Sequence, residues 1–245
     1  MNTINNKVLL LTGCINPQGM SHTVLQDPEI RKRQYISAIR YYLENTKIPI
    51  VFIENTNTDI SGEFFTADYS RRIEFITFNG NNFDKNKGKG YGEALMIEYA
   101  LNHSAFLNKS SFVIKVTGRL YVDNIDELVC EMQSPDCIYA NLVRGNCGLE
   151  RKSYFFGAPI TFLTNYFLSR KQEIDESKKV YFERHLYNES IKWTEDGGKV
   201  REFQYPILVS GVSGSTGKIY PQEKFPYIKA RLRYFLHQLS LYRNL

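Results

Sequence analysis

The feature that most constrains this chain is a succession of short apolar runs, at residues 7–11, 49–53, 73–78 and 112–116, each separated from the next by a helical or polar stretch. Apolar runs of five or six residues bounded by turn signals read as buried strands. Between the first two, Asp27-Pro28-Glu29 supplies an N-cap, a proline at the first helical position and an acid in the first turn. The helix so started is predicted to reach about residue 44, with Ile36, Ile39 and Leu43 on its apolar face. Residues 80–92 are polar and glycine-rich and open into a predicted helix over 91–102. Strands alternating with helices predict a mostly parallel sheet covered on both faces. The expected fold is α/β, a single Rossmann-like α/β/α sandwich with ligands at the C-terminal strand ends.

The second half is more mixed. Asn124 is expected to cap a helix carrying Leu128, Val129 and Met132. Strands are predicted at 137–142, 154–156 and 203–209, and helices at 159–169, 177–190 and 227–242. With 245 residues and no repeat, long linker or low-complexity block, the expectation is one domain over 1–225 followed by a basic amphipathic helix over 226–245.

Composition narrows the partners. A net charge of +5 suits anionic ligands such as nucleotide-sugars, lipid diphosphates or a membrane surface, and is too small to require nucleic acid. Four cysteines without CxxC spacing read as reduced thiols of a cytoplasmic protein. The apolar run 8–11 is too short for a signal peptide, and no stretch approaches the roughly 20 apolar residues of a membrane span. The four histidines show no metal-ligand spacing, and no Gly-x-Ser-x-Gly elbow occurs. Tyrosine and phenylalanine are abundant; such rings stack on sugars or fill cores.

Several polar segments follow strands or open helices, where chemistry belongs. Thr12 and Gly13 end the first strand; Glu54 and Asn55 end the second, where a carboxylate and an amide can read a base or ribose or simply cap the loop. In Lys87-Gly-Lys-Gly-Tyr-Gly-Glu93, glycines and a helix N-terminus offer backbone N–H groups and a partial positive charge to an anion. This is neither a Walker A loop nor full Gly-x-Gly-x-x-Gly spacing. Lys115 lies inside an apolar strand whose mouth reads Thr117-Gly118-Arg119. A buried lysine costs several kcal/mol unless paired, so Lys115 demands an internal acid or a bound anion, and the anion is the favoured expectation. The loop holding Ser213, Gly214, Ser215 and Lys218 adds small residues, hydroxyls and a cation suited to a phosphate or sugar.

These segments, in this order, resemble the single-domain bacterial GT-A-type glycosyltransferases of lipopolysaccharide and capsule synthesis. The resemblance is carried by Leu10-Leu-Thr-Gly-Cys14, Phe52-Ile-Glu-Asn55, Gly88-Lys-Gly-Tyr-Gly-Glu93, Lys115-Val-Thr-Gly-Arg119 and Tyr154-Phe-Phe-Gly-Ala158. It implies nucleotide contacts at Thr12, Gly13, Glu54 and Asn55, and ribose or diphosphate contacts at Lys89, Gly90 and Glu93. The family's usual Asp-x-Asp, which holds Mg²⁺ or Mn²⁺, is missing from this chain. The corresponding place runs Thr117 to Asp123, so the expectation is transfer without a metal cofactor. Lys115 and Arg119 then neutralise the diphosphate, with Asp123 as a lone metal ligand in the less favoured version.

Transfer by direct displacement needs a base for the acceptor hydroxyl. Glu183, set among aromatics, is the first candidate and Asp175 the second; an i,i+4 helix-surface pair or a salt bridge with Arg184 is the alternative for Glu183. The last segment carries Lys229, Arg231, Arg233 and Arg243, with Ile228, Leu232, Phe235, Leu236 and Leu239 at helical spacing. That pattern suits docking at an anionic inner membrane face, where lipid-linked glycan acceptors reside, or a helix packed on the domain. A sugar nucleotidyltransferase and a non-catalytic glycan- or lipid-binding module are the competing readings.

Overall fold

The computed structural model describes residues 6–18, 23–64, 69, 71–145, 148–213, 217, 219–220, 232, 235–236 and 239. Strands β1 (Lys7–Gly13), β2 (Ile50–Glu54), β3 (Ile73–Thr77) and β4 (Phe112–Thr117) fall where the apolar runs place them. They alternate with helices α1 (Pro28–Asn45) and α2 (Gly88–His103). Asp27 caps α1 through its side chain, accepting from the Glu29 and Ile30 N–H groups, with Pro28 at the first position.

The chain continues through β5 (Leu120–Val122), α3 (Ile125–Glu131), β6 (Cys137–Tyr139), β7 (Leu142–Gly145), β8 (Gly148–Arg151) and β9 (Phe155–Pro159). Then come α4 (Ile160–Phe162), running into a π-helical turn at Leu163–Leu168, α5 (Phe182–Glu195), β10 (Lys199–Arg201), β11 (Val209–Val212) and β12 (Ile219–Tyr220). Seven strands form one sheet in the order β10-β6-β9-β4-β1-β2-β3. Every pairing in it is parallel except those of β9, which runs antiparallel to β4 and β6.

Side chains alternate between two cores, as strand geometry requires. Leu9 and Leu11 of β1 pack with Tyr35, Ile39 and Tyr42 of α1 and with Ile125 and Leu128 of α3. Val8 and Leu10 point the other way, among Ala94 and Ile97 of α2 and Phe182 and Leu186 of α5. A sheet with a core on each face is the expected three-layer arrangement.

The second half corrects the expectation of one clean sandwich. A three-stranded sheet β12-β11-β5 and a ribbon β7-β8 lie beside the main sheet. The ribbon is tied to α5: Arg151 Nε donates to Ser190 Oγ at 2.8 Å, and Arg184 Nη1 to the Leu149 carbonyl at 2.9 Å. Residues 203–208 are not a strand, because the Gln204 and Tyr205 N–H groups donate to the Glu131 carboxylate and Pro206 has no N–H to offer a ladder. The helix expected over 177–190 is split: Lys179 adopts a left-handed conformation with φ 62°, and α5 starts afresh at Phe182. Of the final helix, Leu232, Phe235, Leu236 and Leu239 are helical and exposed; its remaining residues lie outside the described ones. No helix among the described residues is long and apolar enough to cross a membrane.

Candidate active site

From β1 the chain moves outward to β2 and β3, then returns to place β4 on the other side of β1. The connections after β1 and β4 therefore leave in opposite directions, and the crevice between them is the usual ligand position of such a sheet. Here it holds a cleft of about 500 Å³. Register brings the strand ends level, with Gly13 opposite Glu54 and Thr12 opposite Thr117. The antiparallel β9 delivers its preceding residues Ser153 and Tyr154 to the same edge, where the Thr117 N–H donates to the Tyr154 carbonyl at 3.0 Å.

Of the residues singled out in the sequence, Thr12, Gly13, Asn55, Lys89, Gly90, Glu93, Thr117, Arg119, Glu183 and Ser213 line this cleft. Glu54, Lys115, Gly118, Asp123 and Asp175 do not. Gly214, Ser215 and Lys218 lie outside the described residues.

Lys115 is a correction. Its ammonium, fully buried, sits 2.5 Å from Glu93 Oε1 and donates to the Ser153 carbonyl at 2.7 Å and to Thr117 Oγ1 at 3.2 Å. The demand for a partner is met by an internal acid, not by an anion. Residues 113 and 115 share the face covered by α2 and α5, which is why Glu93 of α2 reaches it. Thr12 Oγ1 also donates to Glu93 Oε1, at 2.7 Å. The Glu93 oxygen is thus committed to tying β1 and β4 to α2.

Glu54 is likewise a loop organiser. Fully buried, it accepts from the N–H groups of Ile15, Thr56 and Thr58 at 2.8–2.9 Å and from Thr56 Oγ1 at 2.5 Å. It holds the β1 and β2 loops against each other. Asp123 accepts from Ser210 Oγ at 2.9 Å, joining β5 to β11, and burial raises its carboxyl above the ordinary range. Asp175 caps its own turn, accepting from Ser177 N and Oγ. Gly118 backs onto the Thr12 carbonyl, which an added Cβ would approach to 2.8 Å.

Arg119 behaves differently. It is 6% exposed; among the described residues its Nη1 reaches only Gln34 Oε1 at 3.3 Å and the Val212 carbonyl at 3.5 Å, and its Nε has no partner. Beside the same Tyr35 ring lies Arg31, 4% exposed, whose partners are the Cys14 and Leu25 carbonyls and the Tyr35 hydroxyl. The two guanidinium carbons stand 5.8 Å and 6.0 Å from that ring centroid. Both line the cleft, and among the described residues neither has a carboxylate partner. Asn55, also in the cleft and buried, has an Oδ1 without a partner among the described residues. Sequence reasoning missed Arg31, although a charge four residues before Tyr35 and eight before Ile39, on the core-facing stripe of α1, marks it.

Also lining the cleft, Glu183 lies in the first turn of α5 and accepts from Ser153 Oγ at 2.5 Å. The pairing with Arg184 does not form, since that guanidinium turns to Leu149 and the Tyr187 ring. The N-terminus of α2 already faces an acid: the Gly90 N–H donates to Glu176 Oε1 at 3.1 Å. Gly88, at φ 80°, allows that approach, since a Cβ there would lie 2.1 Å from the Glu176 carboxyl carbon. Cys14 is held as a thiol, because burial pushes its pKa up to about 11.

No family model matches the chain, and no curated protein matches it. Among solved structures it is similar to the bifunctional glycosyltransferase WbbM, at 10% identity and a TM-score of 0.46, over 97% of this chain and 45% of that one. It is also similar to the 4-diphosphocytidyl-2C-methyl-D-erythritol synthase of Anaerococcus prevotii, at 10% identity and a TM-score of 0.43, over 95% of this chain and 98% of that one. At that distance, the chemistry rests on the side chains of the cleft.

Proposed function

We propose that the cleft binds a nucleoside-diphosphate sugar and that the chain is a glycosyltransferase, passing the sugar to a cell-surface glycan acceptor. The observation that carries this reading is the pair of buried guanidiniums, Arg31 and Arg119, at the switch point of the sheet without a carboxylate partner among the described residues. Two desolvated positive charges favour an anionic ligand, and planar guanidiniums suit phosphate oxygens. The cleft volume is of the size usual for small-ligand sites. Asn55 Oδ1 supplies an acceptor for a hydroxyl or amino group of the nucleoside.

In the reaction, the acceptor hydroxyl attacks the anomeric carbon and its proton passes to Glu183, which Ser153 orients. The bond from the anomeric carbon to the diphosphate oxygen breaks, its electron pair leaves on the diphosphate, and Arg119 and Arg31 stabilise that charge in the role a metal ion plays elsewhere. The exposed apolar stripe Leu232, Phe235, Leu236 and Leu239, within a segment rich in arginine, fits an acceptor held at an anionic lipid surface.

A thermal-shift screen against UDP, GDP, CMP and their sugars tests the reading. A ligand at 100 times its Kd adds about 2.7 kcal/mol of stability, a rise of several degrees, and the rise should persist in excess EDTA. Loss of the response in EDTA with recovery in Mn²⁺ would overturn the metal-independent version. Turnover of a nucleoside triphosphate with a sugar phosphate would indicate nucleotidyl transfer instead.

A further inference from the structure

Away from the cleft, α5 carries His185 and Glu189 one turn apart, both completely buried. Glu173, on the short 3₁₀ turn Lys171–Glu173, is exposed and faces the same place. One donor atom from each of the three lies within 4.8 Å of the others. None of the three lines the cleft.

The hydrogen bonds define which atoms are available. His185 Nε2 lies 2.8 Å from the carbonyl of Phe167, in the π-helical turn after α4. A carbonyl only accepts, so Nε2 carries the proton and Nδ1 of the neutral ring presents a bare lone pair. Among the described residues Nδ1 has no partner, and neither has Glu189 Oε2; the other Glu189 oxygen is taken by Lys192 Nζ at 2.5 Å. Two buried acceptors without a donor, on residues whose possible ligand atoms lie within 4.8 Å of one another, call for a shared cation. An imidazole with its far nitrogen fixed by a carbonyl is the usual orientation of a metal-bound histidine. One nitrogen and two carboxylate oxygens suit Zn²⁺ and its first-row neighbours better than Mg²⁺ or Ca²⁺. Glu173 at the surface provides the entry path.

We propose that Glu173, His185 and Glu189 form a structural site for a divalent transition metal of the Zn²⁺ class. Such an ion fastens the turn at 171–173 to α5. Glu176 lies three residues beyond the first of these ligands and Glu183 two residues before the second, so the ion steadies both carboxylates that α5 and its approach present to the cleft.

The test uses full-length protein carrying Cys130→Ser, which takes an exposed thiol out of competition for the metal. After chelator treatment the protein is titrated with ZnCl₂ and, separately, CoCl₂, reading stoichiometry by calorimetry, melting temperature and Co²⁺ visible absorption. One equivalent bound with a rise of several degrees is expected. Glu173→Gln, at an exposed position, should weaken binding by at least about tenfold, the lower end of what outer-shell changes already cost. His185→Gln should abolish it. No binding, or equal binding by Glu173→Gln, overturns the site. The nucleotide response of the cleft should survive in Glu173→Gln, so failure here and failure of the glycosyltransferase reading are separate outcomes.

Discussion

Lys115 and Arg119 stand four residues apart at one strand mouth, and their partners separate their roles. Replacing Lys115 by methionine leaves Glu93 facing a neutral, apolar side chain, and breaking such a pair costs about 3–5 kcal/mol. The urea midpoint should fall accordingly, since the ammonium joins β4, α2 and the approach to β9. Arg119→Ala removes two long hydrogen bonds and the contact with the Tyr35 ring but leaves no charge unpaired, so it should cost less stability than Lys115→Met, while the nucleotide-induced rise in melting temperature disappears. A full response in Arg119→Ala would remove the diphosphate assignment. Glu183→Gln should lower turnover by about 10²–10⁴-fold with donor binding retained; wild-type turnover in that variant would exclude it as the base. Cys14, a thiol with pKa about 11, should react with iodoacetamide at pH 8 more slowly than exposed Cys130, as peptide mapping will show. Several of these residues are readable in the sequence. Lys115 announces a need for a partner, and Glu183 announces a charge among aromatics. The identity of each partner is not readable, because Glu93 and Ser153 lie on other elements.

Among the elements, α2 has the most to say about ligand entry. Its glycine-rich start was expected to present free N–H groups to an anion, whereas the Gly90 N–H faces the Glu176 carboxylate. A diphosphate approaching that end meets like charge, so Glu176→Gln should tighten nucleotide binding while lowering stability by about 0.3–1 kcal/mol through the weakened helix-end interaction. Parallel titration and denaturation curves on the same variant read both effects; looser nucleotide binding would show that the acid is a ligand contact. Helix α1 combines two signals. Asp27 and Pro28 mark its start in the sequence, and Arg31 marks the place where its core-facing stripe turns toward the cleft.

At the scale of the molecule, the sheet puts one core on each face and opens the crevice at the β1–β4 switch point. The C-terminal segment adds an apolar stripe whose described residues, Leu232, Phe235, Leu236 and Leu239, are 44–59% exposed. If that stripe docks on lipid, flotation with anionic liposomes should carry the full chain and leave a 1–225 truncation behind. Equal flotation of the two would place the attachment elsewhere, and salt should weaken whatever share the arginines contribute.

Local pattern alone determined the four parallel strands, the start of α1 and the cluster of polar residues at the strand ends. Periodicity, caps and turn chemistry act within a few residues and are written where they act. Only the tertiary structure decided that β9 returns antiparallel, that Glu93 claims Lys115, and that Arg31 and Arg119 share the Tyr35 ring. Those outcomes depend on strand register and on which helix covers which face, and pairings between distant segments leave no mark in the spacing of either one.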